Sequence, residues 1–127
     1  MLRASIFLGL VLVAAFSASG QVPTPPRLEV SSPKPLMIAA IDSPTGEAHG
    51  VLVGEYADLL QKRFPGSGPI YIDVSTERRY SQAGCSRLKV TIWQDAVRLS
   101  AGDAPRKQGA QFGINYCRDG LPPRSLS

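Results

Sequence analysis

Two cysteines, Cys85 and Cys117, sit at the far ends of two alternating runs, and no other feature constrains the fold as tightly. In the first run Leu88, Val90 and Ile92 alternate with Lys89, Thr91 and Trp93; in the second, Phe112, Ile114 and Tyr116 alternate with Gly113 and Asn115. A period of two marks a strand with one buried face. If the runs pair antiparallel with Cys85 opposite Cys117, Leu88 faces Ile114, Val90 faces Phe112 and Ile92 faces Ala110. Arg87, Lys89 and Thr91 then meet Asn115, Gly113 and Gln111 on the other face. A slip of one residue would turn every apolar side chain to the wrong side, so cross-link and hydrophobic pattern point independently to one register. The alternative is a short middle strand at Val97, Arg98 and Leu99, which would separate the two runs and route the bridge differently.

A disulfide needs an oxidising compartment, and the start of the chain reads as the route there. Met1-Leu2-Arg3 carries one positive charge, residues 6–16 are apolar, and Ser17, Ala18, Ser19 and Gly20 are small. These are the three regions of a secretory signal peptide, cut after Gly20 or, nearly as well, after Ser19. No cysteine follows the small residues, which excludes lipid attachment there. The apolar run is about half of the roughly twenty residues that cross a bilayer, so an uncleaved anchor is the lesser reading. No later segment is long and apolar enough to span. The expected location is periplasmic or secreted.

Without residues 1–20, 107 of the 127 residues remain, enough for one domain with a modest core. Closing a loop of about thirty residues stabilises such a domain by roughly 3–4 kcal/mol in the chain-entropy model. The cysteines lack the C-x-x-C spacing of a redox pair, so a structural role is expected. Residues 21–35, with Pro23, Pro25, Pro26, Pro33 and Pro35, read as an extended arm; 36–121 as the single domain; 122–127, opening on Pro122-Pro123, as a flexible tail.

Within the domain, residues 36–41 are a short apolar run closed by turn formers, the pattern of a buried strand. Val53, Tyr56, Ala57, Leu60 and Phe64 fall on one face of a helix, Asp58 and Lys62 pair at i,i+4, and Pro65-Gly66 stops it. Ile70, Ile72 and Val74 alternate with Tyr71 and Asp73 as a further strand. The expected fold class is therefore α+β: one helix packed on a small, mainly antiparallel sheet, with one disulfide.

Charge divides the chain. Residues 21–77 hold four basic and seven acidic side chains, whereas 78–127 hold nine basic and three acidic. A basic half can meet an acidic or phosphate-bearing partner, with a solvated surface as the simpler reading. Along the sequence the basic residues lack the interleaved aromatics of a stacking platform, which counts against nucleic acid. The best candidate contact patch is Arg78, Arg79 and Tyr80, because guanidinium forks hold carboxylate or phosphate at two points. Pairing of these arginines with Glu77 and Asp73 explains them equally well.

His49 is the single histidine, in the glycine-flanked segment 46–50, which reads as flexible. Glu47 or Asp42 could orient it as a general base, but no nucleophile elbow, second metal-ligating histidine or free thiol accompanies it. A surface or capping role is expected, with no catalytic site, metal or cofactor.

Ile72-Asp73-Val74-Ser75-Thr76, Arg79-Tyr80, Gly84-Cys85-Ser86-Arg87-Leu88, Asn115-Tyr116-Cys117 and Asp119-Gly120-Leu121-Pro122-Pro123 resemble a group of small exported proteobacterial proteins of unassigned activity. That group is similar to proteins encoded among conjugative-transfer or type IV secretion genes. The resemblance covers residues 70–125, about half the chain, and its motifs are structural, so it transfers no functional residue. It implies a non-enzymatic periplasmic binding or assembly protein, accessory to such an apparatus, whose partner is another periplasmic or envelope protein. The rivals are an exported inhibitor of a cell-wall hydrolase and a small hydrolase using His49.

Overall fold

The computed structural model describes residues 26–127; the signal peptide expected over residues 1–20 and the first part of the expected Pro-rich arm lie outside the described residues. The elements in chain order are β1 (Leu28–Val30), α1 (Lys34–Asp42), β2 (Glu47–Leu52), α2 (Glu55–Arg63), β3 (Ile70–Arg79), β4 (Cys85–Val97) and β5 (Arg106–Cys117). They build one five-stranded sheet in the order β1-β2-β3-β4-β5, antiparallel except for the parallel β1–β2 pair.

The β4–β5 hairpin has the register that cross-link and pattern require. Cys85 stands opposite Cys117, Leu88 opposite Ile114, Val90 opposite Phe112 and Ile92 opposite Ala110. The Cys85–Cys117 disulfide joins the two strands where their Cα atoms are 4.0 Å apart. No middle strand intervenes. Val97 ends β4 and pairs with Arg106 across a register shift that follows Gln94, where Asp95 Oδ1 accepts the N–H of Ala96.

The expected α+β class holds, but with two helices among the described residues, and the principal packing helix is not the one the spacing predicted. Residues 36–41, expected as a strand, form most of α1. A short apolar run does not distinguish a buried strand from a buried helix by periodicity, and here the prolines decide. Pro33 is the N-cap and Pro35 lies in the first turn, where its missing N–H costs nothing. Pro33 O accepts the N–H groups of Leu36 and Met37. Leu36, Met37, Ala40 and Ile41 then lie on one face, all buried against the sheet.

The arm expected over 21–35 is correspondingly part of the fold from Leu28 onward. Leu28, Glu29 and Val30 pair with Gly50, Val51 and Leu52, and α1 is the crossover that a parallel pair demands. Segment 46–50, expected to be flexible, lies almost wholly in β2. Its inward positions are Ala48, Gly50 and Leu52, too small a set to signal a strand. Gly50 is small for a reason: a Cβ there would stand 2.6 Å from Leu36 Cδ1 and 2.9 Å from the Leu28 carbonyl oxygen.

The helix expected around residues 53–64 is α2, starting at Glu55 after Gly54. Glu55 and Asp58 in its first turn and Lys62 and Arg63 in its last match the helix dipole. It rides lightly on the sheet: Ala57 is its only buried residue, and Tyr56 and Leu59 are exposed. The core lies between α1 and the inward side chains of β3 and β4, namely Ile70, Ile72, Val74, Leu88 and Val90. Among the described residues, no helix lies on the opposite sheet face. In the expected tail, Arg124 N–H donates to Gln82 Oε1 and Ser81 N–H to Ser127 O, which brings it to the β3–β4 turn. Among the described residues, no helix is long and apolar enough to cross a membrane.

Candidate functional site

Strand register alone arranges the open sheet face in rows. Glu29, Val51, Tyr71, Trp93 and Gly109 form one; His49, Asp73, Thr91 and Gln111 the next; Glu47, Ser75, Lys89 and Gly113 a third; Arg78, Arg87 and Asn115 a fourth. The charge division of the sequence thereby becomes a division across the sheet, with acids toward β1 and β2 and bases toward β4 and β5.

At the middle of this face, Asp73 accepts hydrogen bonds from three side chains far apart in the sequence. Arg27 Nη1, just before β1, reaches Oδ1 at 2.8 Å and also the Gly50 carbonyl at 3.0 Å. His49 Nδ1 is 2.7 Å from the same oxygen and Trp93 Nε1 is 2.6 Å from Oδ2. Because an ionised carboxylate only accepts, His49 carries its hydrogen on Nδ1. Partial burial pushes the Asp73 pKa up, but the hydrogen bonds from His49, Trp93 and Arg27, with the charge of Arg27, outweigh it and hold it below the usual carboxylate value.

Aromatic rings and cations alternate beside this cluster. The Arg27 guanidinium lies 4.2 Å from the centre of the Tyr71 ring, Tyr71 and Trp93 have centroids 4.6 Å apart, and Lys107 Nζ lies 4.1 Å from the Trp93 ring. These are cation–π distances. Further along, Arg78 lies 5.4 Å from the Tyr80 ring, whose hydroxyl donates to Asn115 Oδ1 at 2.6 Å. Arg87 donates to the same oxygen and lies flat over Gly113, where a Cβ would stand 2.5 Å from Nη2. Among the described residues, none of Arg78, Arg87, Lys89 and Lys107 is ion-paired. The aromatic interleaving missing from the linear sequence is thus supplied by the fold.

The candidate patch of Arg78, Arg79 and Tyr80 is divided. Arg78 and Tyr80 belong to the open face, whereas Arg79 donates from Nη1 to Ile41 O at 3.2 Å and from Nη2 to Ser43 O at 2.8 Å, at the C-terminal end of α1. Asp73 pairs with Arg27 rather than with either arginine of the patch. His49 sits in β2 and not in a flexible segment. Of its two expected acidic neighbours, Glu47 Oε2 lies 3.7 Å from Nε2, whereas Asp42 is bound to Arg118 at 2.9 Å. The acid that orients His49 is Asp73. Among the described residues, no hydroxyl or thiol is hydrogen-bonded to His49, and no group of three or more His, Cys, Asp or Glu side chains could hold a metal ion.

Part of this site was within reach of the sequence. Alternation already turned Tyr71 and Asp73, and likewise Thr91 and Trp93, away from the core, and an antiparallel β3–β4 pair makes them neighbours. Arg27 carried no such signal, since it stands among prolines. Compared with protein-family models, curated proteins and solved structures, the chain matches none.

Proposed function

We propose that this protein is a non-enzymatic binding protein of the periplasm or cell exterior that holds an acidic partner protein on the open face of its sheet. The observation that supports it is the company of Arg78, Arg87, Lys89 and Lys107 with Tyr80 and Trp93 on one uncovered face, while the central acid, Asp73, is taken up by Arg27, His49 and Trp93. Unpaired cations attract acidic surfaces and set the encounter rate, and Tyr, Trp and Arg are the residues that carry binding energy at interfaces. The resemblance of residues 70–125 favours an envelope protein of a transfer or secretion apparatus as the partner.

The test is capture from periplasmic extract by the immobilised mature chain, with Arg78→Glu and Lys89→Glu combined. Capture is expected to weaken by roughly tenfold or more, equivalent to about 1.4 kcal/mol, and to fall with added salt as screening shortens to about 8 Å at physiological ionic strength. Thermal stability should change little, since exposed charges contribute only about 0–1 kcal/mol. Undiminished capture at every salt concentration refutes the reading. Capture of single-stranded DNA in place of any protein would refute the acidic-protein partner.

A second reading, a small hydrolase, is favoured by the 2.7 Å contact between His49 and Asp73, the pairing of a base with its orienting acid. It expects His49→Ala to abolish a hydrolytic activity without lowering the melting temperature by more than the lost hydrogen bond explains.

A further inference from the structure

The two edges of the sheet differ. β1 is three residues long, whereas β5 is twelve. Long edges are ordinarily blunted by charge, proline or a covering segment. β5 has charges only at its first two positions, Arg106 and Lys107; residues 108–117 carry neither charge nor proline.

Cys117 shows which backbone groups are left over. Its 4.0 Å Cα spacing to Cys85 is that of a non-hydrogen-bonded antiparallel pair, and its N–H is turned away from β4 to the carbonyl of Leu121. By alternation, Gly109, Gln111, Gly113 and Asn115 also direct their N–H and C=O groups off the sheet. On the helix face of the same strand, Phe112 is 43% exposed. Beside it opens an apolar groove of about 290 Å³, lined among others by Leu60, Ile92, Leu99 and Ala110. Among the described residues nothing pairs with this backbone row, which runs beside the apolar strip.

We propose that β5 pairs antiparallel with β5 of a second copy of this chain, about a two-fold axis through Phe112. The strand is self-complementary in that register. Phe112 meets its counterpart in a close, non-hydrogen-bonded pair, each Ala110 meets an Ile114, and each Gln111 meets a Gly113 whose outward groups match its own. The charge pattern selects a second copy as occupant. The paired run is uncharged, and the two Lys107 side chains stand ten residues apart along the strands, about 34 Å and several screening lengths. Arg118, just beyond the run, is held by Asp42 at 2.9 Å. A two-fold normal to the sheet keeps both open faces on one side, so the dimer doubles the basic face without touching it.

Sedimentation of the mature protein at micromolar concentration is expected to show a dimer. Because Cys85 and Cys117 are bonded to each other and are the chain's only cysteines, Phe112→Cys adds a lone thiol at the axis. It should oxidise to a covalent dimer on a non-reducing gel, whereas Ala101→Cys, in the exposed loop before β5, should not. Gln111→Pro removes an outward N–H without touching the β4 ladder and should raise the dimer dissociation constant roughly tenfold or more. If that variant unfolds, Phe112→Lys, which places like charges at the axis, replaces it. A monomeric parent, or cross-linking of Phe112→Cys no faster than of Ala101→Cys, overturns the proposal. So does a monomeric parent whose capture of an extract protein is lost in Gln111→Pro, because the edge would then belong to a partner's strand. Charge reversal at Arg78 and Lys89 leaves β5 untouched, so the two readings fail separately.

Discussion

Replacing Asp73 by alanine takes one acceptor from three donors at once, and the size of the loss can be bounded from exposure. Breaking a fully buried ion pair costs about 3–5 kcal/mol, and breaking an exposed one about 0–1 kcal/mol. Here the side chains of Arg27 and Asp73 are 23% and 28% exposed, so water partly replaces the lost carboxylate for Arg27 and His49. The expected cost is about 2–3 kcal/mol, a fall in melting temperature of roughly 8–20 °C for a domain of this size. Trp93 is the chain's only tryptophan, and it donates to Asp73, so its fluorescence during thermal unfolding reads this site directly. The pH dependence has a definite sign. The carboxyl of Asp73 is held below its ordinary value of about 3.9, so its stabilisation is complete above that value and is lost as pH falls through the lower, folded pKa. The penalty of Asp73→Ala should therefore shrink below about pH 4. A penalty under about 0.5 kcal/mol, the scale of an ordinary surface substitution, would refute the account, as would one of equal size in strong acid.

Replacing Cys85 and Cys117 together by alanine should destabilise the fold by about 3–4 kcal/mol from loop closure alone, measured by denaturant unfolding; thiol titration of the unfolded, unreduced parent should find no free thiol. Arg79→Ala should cost about 1–2 kcal/mol, because it leaves the Ile41 and Ser43 carbonyls at the end of α1 without their donor. Arg78→Ala should leave the melting curve within about 0.5 kcal/mol of the parent, and equal effects of the two arginines would show that the division between faces is wrong.

The β4–β5 register was legible because two independent constraints coincide there. Alternation fixes which side chains share a face, and the Cys85–Cys117 bridge fixes which residues stand opposite. The stretch recognised as α2 and the strand at Ile70, Ile72 and Val74 were legible for a related reason: each has its own periodicity and is closed by turn residues.

Elsewhere local pattern was silent or misleading. Residues 36–41 are apolar nearly throughout, so only the space between sheet and solvent, together with the tolerance of a first helical turn for Pro35, made them a helix. β2 hid because Gly50 must be small to admit Leu36, which erased the alternation that would have announced a strand. The central cluster depends on contacts at long range: Arg27 and Asp73 are 46 residues apart, and His49 and Asp73 are 24 apart. The readable part of the fold is the part governed by neighbours two to four positions away and by one covalent bond. The parallel β1–β2 pair, the burial of α1 and the meeting of Arg27, His49 and Trp93 on one carboxylate were decided only by tertiary structure, because each requires strands distant in the chain to lie side by side before any of its side chains can touch.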